Sequence, residues 1–151
     1  MSVRRRGREI ALQILYQSEW VTLEDLEGAL KEYAKRLAPK TMKQEDPALE
    51  FARSRLEGIF SNKESINQII SRNVRGWRLD RMASVDRNIL RIGAFELMYC
   101  PDIPSRVVIN EAVELAKKFG SEDSRAFVNG VLDGILKDLK AKGERKEDHG
   151  T

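Results

Sequence analysis

Apolar residues recur along this chain at three- and four-residue spacing, most clearly between Ser105 and Leu139. Val108, Ala112, Leu115 and Phe119 mark one stripe, widened by Ile109, Val113 and Ala116. Phe127, Val128, Val131, Leu132, Ile135 and Leu139 mark a second. Stripes of that width predict two amphipathic helices buried against other elements. Gly120 separates them and follows Lys117, Lys118 and Phe119. Cations in a last turn, then a residue tolerant of the left-handed region, predict a helix stop there. Ser121 to Ser124 are expected to supply acceptors to the free N–H groups of the next helix.

The same period continues upstream. A first helix is predicted from about Gly7 to about Trp20, on Ile10, Ala11, Ile14 and Leu15, with Leu12 and Tyr16 at its margins. Thr22 is expected to cap a second, carried by Leu23, Leu26, Leu30, Tyr33, Ala34 and Leu37 as far as Pro39. Asp46-Pro47 is a strong start signal, an acceptor followed by proline at the first helical position. Leu49, Ala52, Leu56, Ile59 and Phe60 carry the third helix, and Ile66, Ile69 and Ile70 a fourth over residues 65–74. Ser84 is expected to cap a fifth on Val85, Ile89, Ile92, Phe95 and Leu97, ending at Cys100-Pro101. No segment alternates as a strand does. The expected fold class is all-α: one domain over residues 1–142, built of two small helical subdomains packed together, about 1–62 and 63–142. Trp77 and Leu79 are expected to plug the junction between them. Residues 143–151 contain no apolar side chain and are expected to form a disordered tail.

Composition narrows the function classes. Hydrophobic residues make up 41% and charged residues 34%, which suits a folded core under a well-solvated surface. The net charge is only +3, so the molecule is not a polycation. Its charge is unevenly placed: Arg4, Arg5, Arg6 and Arg8 lead into the first helix, with no acid among residues 1–8. Cys100 is the single cysteine, so no internal disulfide can form and a reducing compartment is expected. No apolar run approaches a membrane span and the N-terminal stretch is a poor signal peptide, so the expectation is a soluble, cytoplasmic protein with no membrane partner.

Catalytic chemistry is hard to find. The one histidine, His149, lies in the expected tail. Glycines 120, 130 and 134 are spread along helical sequence rather than gathered in a phosphate loop, and no metal-ligand spacing occurs. Neither an enzyme nor a cofactor is expected. The arginines are the sharpest signal, because a planar guanidinium offers a fork of donors to phosphate and can stack on bases. Phe127, near a helix start, is placed to sit at an edge, whereas Phe119 continues a core stripe. Asn110 and Asn129, unfavourable within helices, read as buried hydrogen-bonding residues. Gly130 and Gly134 read as sites of close helix packing.

Three stretches in order then carry a family resemblance: RRRGREIALQILYQSEW (4–20), WRLDRMASVDRNILRIGAFELMY (77–99) and DIPSRVVINEAVELAKKFGSEDSRAFVNGVLDGI (102–135). They cover about half the chain, and it resembles the bacterial transcription antitermination factor NusB family. The resemblance implies an all-helical, non-enzymatic RNA-binding factor. It would pair with NusE, a small-subunit ribosomal protein, bind single-stranded boxA RNA, and help the RNA polymerase antitermination complex read through terminators, notably of ribosomal RNA operons. Residue by residue, it implies RNA contacts at Arg4, Arg5, Arg6, Arg8, Asp123 and Phe127, and a NusE-facing surface at Tyr16 and Asp86. Arg125-Ala126 replaces the His-Lys frequent in the family. Gly7 stands where alanine is common, an exchange expected to let the arginine end fray until RNA orders it.

Three alternatives compete. One is a helical interaction module or homodimer without specific RNA binding, its arginine face covered by a second copy. Another is the NusB-like domain that precedes some ribosomal RNA cytosine methyltransferases; it is disfavoured because no α/β cofactor-binding domain follows. The last is an enzyme of another kind, disfavoured by the missing site chemistry.

Overall fold

The computed structural model describes residues 2–17, 22–36, 46–74 and 79–146. Among them lie seven α-helices, two 3-10 turns and no strand, so the all-α expectation holds. The helices are α1 (Val3–Gln17), α2 (Leu26–Arg36), α3 (Pro47–Ser61), α4 (Lys63–Arg72), α5 (Ser84–Tyr99), α6 (Ser105–Phe119) and α7 (Ser124–Ala141). The chain divides into two compact units, Met1–Ser61 and Asn62–Thr151.

In the first unit α3 packs on both α1 and α2. Its start is built as the Asp46-Pro47 signal predicts: the Asp46 carboxylate accepts the Ala48 N–H at 2.8 Å. Ile10, Ala11, Ile14 and Leu15 of α1 and Leu49, Ala52, Leu56 and Ile59 of α3 are buried. Two boundaries differ from expectation. The first helix begins at Val3, not Gly7, so the arginines belong to it. The second begins at Leu26, because Thr22 to Asp25 form a 3-10 turn. The Thr22 hydroxyl donates to the Asp25 carboxylate at 2.9 Å instead of capping backbone, and Leu23 is left 48% exposed. Trp20, Leu37 and Pro39 lie outside the described residues.

In the second unit α5 packs against α4, α6 and α7, and every residue from Asn88 to Leu97 is buried. A helix enclosed on all sides must satisfy its own polar groups. Arg91 donates to Asn67 of α4 at 3.1 Å and to Asn88 at 2.9 Å. Asn88 donates to the Ser84 carbonyl at 2.9 Å. Ser84 is therefore the first helical residue, following Ala83, and not the cap.

The expected tail does not begin at Gly143. Arg145 is 6% exposed, and its guanidinium donates to the carbonyls of Leu97 at 2.9 Å and Glu96 at 3.2 Å, to those of Cys100 and Ile103, and to the Ser105 hydroxyl at 2.8 Å. These acceptors are the last carbonyls of α5 and its link to α6, which a helix end leaves without partners of its own. Residues 147–151, His149 included, lie outside the described residues.

Three further expectations are corrected. Gly120 has φ −92° and ψ −173°, extended and not left-handed. Glycine is needed there because a Cβ would lie 2.5 Å from the Ser124 hydroxyl. Asn110 and Asn129 are exposed, not buried. Gly130 faces open space, so only Gly134 is a close approach: a Cβ there would lie 2.5 Å from Asn73 Oδ1. Trp77 is outside the described residues, and Leu79 is half-buried in the 3-10 turn Leu79–Arg81.

Candidate nucleic-acid interface

In the first unit the candidate site starts with the cap of α1. The Ser2 hydroxyl accepts the Arg5 N–H at 3.1 Å, and the Ser2 carbonyl accepts that of Arg6. The helix therefore runs from Val3 and fixes a different environment for each arginine. Arg4 and Arg5 are exposed and Arg6 is half-buried. Arg6 lies close enough to Tyr33 of α2 for its charge to act on that phenol. Burial raises the Tyr33 pKa above the usual 10.0, Arg6 opposes the shift, and Glu9 adds to it.

Arg8 has a different setting from the other three arginines. It is only 2% exposed, and its guanidinium carbon lies 5.2 Å from the centroid of the Phe51 ring of α3. One turn beyond Phe51, the guanidinium of Arg55 lies 4.1 Å from the same centroid. Gly7 brings the helices this close: a Cβ on it would lie 2.6 Å from Phe51 Cδ1 and 3.0 Å from the Ala48 carbonyl. Gly7 is thus a packing residue in a formed helix rather than a point of fraying. Phe51 and Arg55 were not singled out from the sequence. The available signal is their four-residue spacing, which places an aromatic and a cation on one helix face.

The second unit presents Asp123 and Phe127 one helical turn apart at the start of α7. Asp123 is exposed, and its side chain makes no bond to the helix N-terminus. The turn is closed instead by Ser124, whose hydroxyl accepts the Ser121 N–H at 2.9 Å. Phe127 is half-buried, unlike Val128, Val131 and Leu132 on the core side of α7. Arg125 and Ala126 are exposed beside it.

The two expected partner-facing residues have different surroundings. Tyr16, near the end of α1, is 58% exposed, the highest value among the exposed large hydrophobic side chains of the described residues. Asp86, in the first turn of α5, is half-buried, and its Oδ1 is shielded from solvent without a hydrogen-bond partner. Arg87, next to it, donates to the carbonyls of Leu79 at 3.0 Å and Met82 at 2.7 Å and so fixes the turn ahead of α5. Among the described residues no group of three or more His, Cys, Asp or Glu side chains is placed to hold a metal ion, and Cys100 is buried. Among the described residues no helix is long and apolar enough to cross a membrane.

Known proteins resemble this chain over most of its length. The NusB family profile matches residues 5–137. The transcription antitermination protein NusB of Myxococcus xanthus is 52% identical over 135 residues, covering 89% of this chain and 95% of that protein. The structure of T. maritima NusB superposes with a TM-score of 0.77 at 41% identity, covering 93% of this chain and 95% of the other. A chain from the crystal structure of antitermination factors NusB and NusE in complex with dsRNA superposes with a TM-score of 0.73 at 31% identity, covering 91% and 98%.

Proposed function

The chain belongs to the NusB family, and from that premise we propose that it is a transcription antitermination factor. It binds boxA RNA together with NusE and supports read-through by RNA polymerase, notably on ribosomal RNA operons. It works as an assembly protein rather than an enzyme, in the bacterial cytoplasm where transcription takes place.

The observation that carries this reading is the first turn of α1, which holds Arg4 and Arg5 exposed and contains no acid. A helix N-terminus is the positive end of the dipole and favours acids, so arginines there cost the helix stability. An anion bound against them reverses that cost. Arg4 and Arg5 are assigned to phosphate, and Arg6 stands beside them at the half-buried edge. Arg8, held against Phe51, positions the turn rather than touching RNA. Phe127 is suited to stacking on an unpaired base. Asp123 places a negative charge beside it, which selects against close phosphate approach there. Tyr16 and the partnerless Oδ1 of Asp86 are assigned to NusE, where a donor from the partner would satisfy the carboxylate.

Fluorescence anisotropy with a boxA-like strand and a scrambled strand, with and without NusE and across a salt series, tests the proposal. The expected result is preference for boxA, strengthened by NusE. Affinity should fall as salt rises, with a log–log slope of about 0.7 per phosphate neutralised. Replacing Arg4 and Arg5 by alanine should reduce both affinity and slope. Equal, weak binding to both strands, indifferent to NusE, would overturn the proposal.

A further inference from the structure

We propose that Arg36, in the last turn of α2, is a further RNA-phosphate contact, and that Glu32 holds its guanidinium until a phosphate takes the carboxylate's place. The inference rests on the RNA-binding reading above. It starts from the way α1 and α2 lie together in the first unit. The charges of Arg6 and Glu9, early in α1, act on the phenol of Tyr33, which is one turn from the end of α2. Ile14 and Gln17, late in α1, share a groove with Asp25, Gly28 and Ala29 at the start of α2. The two helices therefore run antiparallel, and the last turn of α2 comes beside the first turn of α1. Arg36 follows Tyr33 by three residues, so it lies on the same face and one turn nearer that end. The arginines that open α1 and the arginine that closes α2 thus converge on one end of the unit.

Arg36 is open to solvent, with its side chain 75% exposed. Its Nη1 lies 3.5 Å from Glu32 Oε2, one turn earlier, in an ion pair whose acid is itself 61% exposed. Water and salt screen both partners of such a pair, which makes it weak. A phosphate at this end of the unit meets several cations at once and accepts two parallel N–H bonds from the guanidinium fork, so it displaces the single carboxylate. Arg53 of α3 shows a cation that cannot be released in this way. It donates to both Glu27 oxygens, at 2.8 and 3.2 Å, and to Glu50, and two carboxylates keep it. Asp46, at the start of α3, is likewise engaged, because its carboxylate accepts the Ala48 N–H. A cation in a last turn also complements the helix dipole. That role alone would leave RNA binding unmoved.

The test uses the full chain and the boxA-like strand, with and without NusE, and compares Arg36→Gln, Glu32→Gln, the double variant and Arg4→Gln with the wild type across a salt series. Arg36→Gln should weaken binding several-fold and lower the salt slope by about 0.7, the share of one phosphate on a single strand. Glu32→Gln should strengthen binding about twofold, the worth of an exposed ion pair of this spacing. That gain should vanish in the Arg36→Gln background, because it acts through the arginine. Urea unfolding midpoints of each variant separate a lost contact from a lost fold. Wild-type affinity and slope for Arg36→Gln, with Arg4→Gln weakened, would overturn the inference and leave the RNA reading intact. So would a Glu32→Gln gain that persists in the double variant. A loss in Arg36→Gln seen only when NusE is present would place Arg36 on the protein partner and also overturn it. Failure of the wild type to prefer boxA would overturn both.

Discussion

Arg8 and Arg145 are both almost fully buried, yet the protein accommodates the two cations in opposite ways. Arg8 sits in an arginine-rich stretch on the first turns of α1 and faces an aromatic ring. Arg145 sits in a polar C-terminal stretch and is surrounded by backbone carbonyls and a hydroxyl. The first adds a cation to a packed helix pair. The second closes a helix end, because the last carbonyls of α5 have no intrahelical donors and a single guanidinium can serve several of them. Neighbours in sequence are therefore a poor guide to what a cation does. The arginine within a basic cluster is the one withdrawn from solvent, and the one in an apparent tail anchors the core.

Methionine in place of either arginine keeps much of the stem volume and removes the charge. Arg145→Met leaves several buried carbonyls without a donor and should cost about 2–4 kcal/mol in urea unfolding. Arg8→Met keeps an apolar, polarizable contact on the Phe51 ring and should cost less, about 1 kcal/mol. Equal losses would mean that Arg8 is a structural clamp of the same kind as Arg145.

These two residues also show where the sequence is legible. Periodicity marks the seven helices of the described residues, since burying a stripe is a property of each segment alone. The Asp46-Pro47 start was readable because a cap is local. The exposure of Arg4 and Arg5 and the half-exposure of Phe127 were within reach for the same reason: each is near a helix start. Arg145 was not legible, because its acceptors lie forty or more residues upstream in the chain. Gly7 is small on account of the Phe51 ring of another helix, which no pattern within α1 reveals. What one segment needs from another leaves no period in either.

Gly7→Ala should have the next largest effect. Its new methyl group would meet the Phe51 side chain at 2.6 and 2.8 Å and the Ala48 carbonyl at 3.0 Å. Overpacking of that kind costs about 1–3 kcal/mol, only partly offset by the better helix propensity of alanine. Thermal unfolding measures the loss. An unchanged or raised midpoint would show that the ring moves freely.

Two glycines four residues apart on α7 should respond in opposite directions. Gly134→Ala drives a methyl group towards Asn73, whose amide donates to the Ile69 carbonyl at 2.9 Å and to Asp138 at 3.0 Å. Shifting it disturbs both bonds and should cost about 1–2 kcal/mol. Gly130→Ala meets nothing and should stabilise by about 0.5–1 kcal/mol through helix propensity and the unfolded chain's lost freedom. Urea midpoints that move the same way in both variants would contradict the placement of α7 against the end of α4.

The smallest effect returns to the arginine stretch and is read by pH. Burial holds the Tyr33 phenol neutral to a higher pH than an exposed tyrosine, whose pKa is 10.0, while the charge of Arg6 works against that shift. Below pH 10 both folded and unfolded chains carry the neutral phenol, and its contribution to stability is complete. Above pH 10 the unfolded chain ionises first, so stability declines as pH rises through the folded-state pKa. Tyr33→Phe has no such group and should lose less stability than the wild type across that range. Arg6→Gln removes the opposing charge and should push the phenol's titration higher still, seen in the ultraviolet absorbance of tyrosinate. If Arg6→Gln leaves that titration unmoved, Arg6 does not face Tyr33, and it belongs with Arg4 and Arg5 on the solvent side of α1.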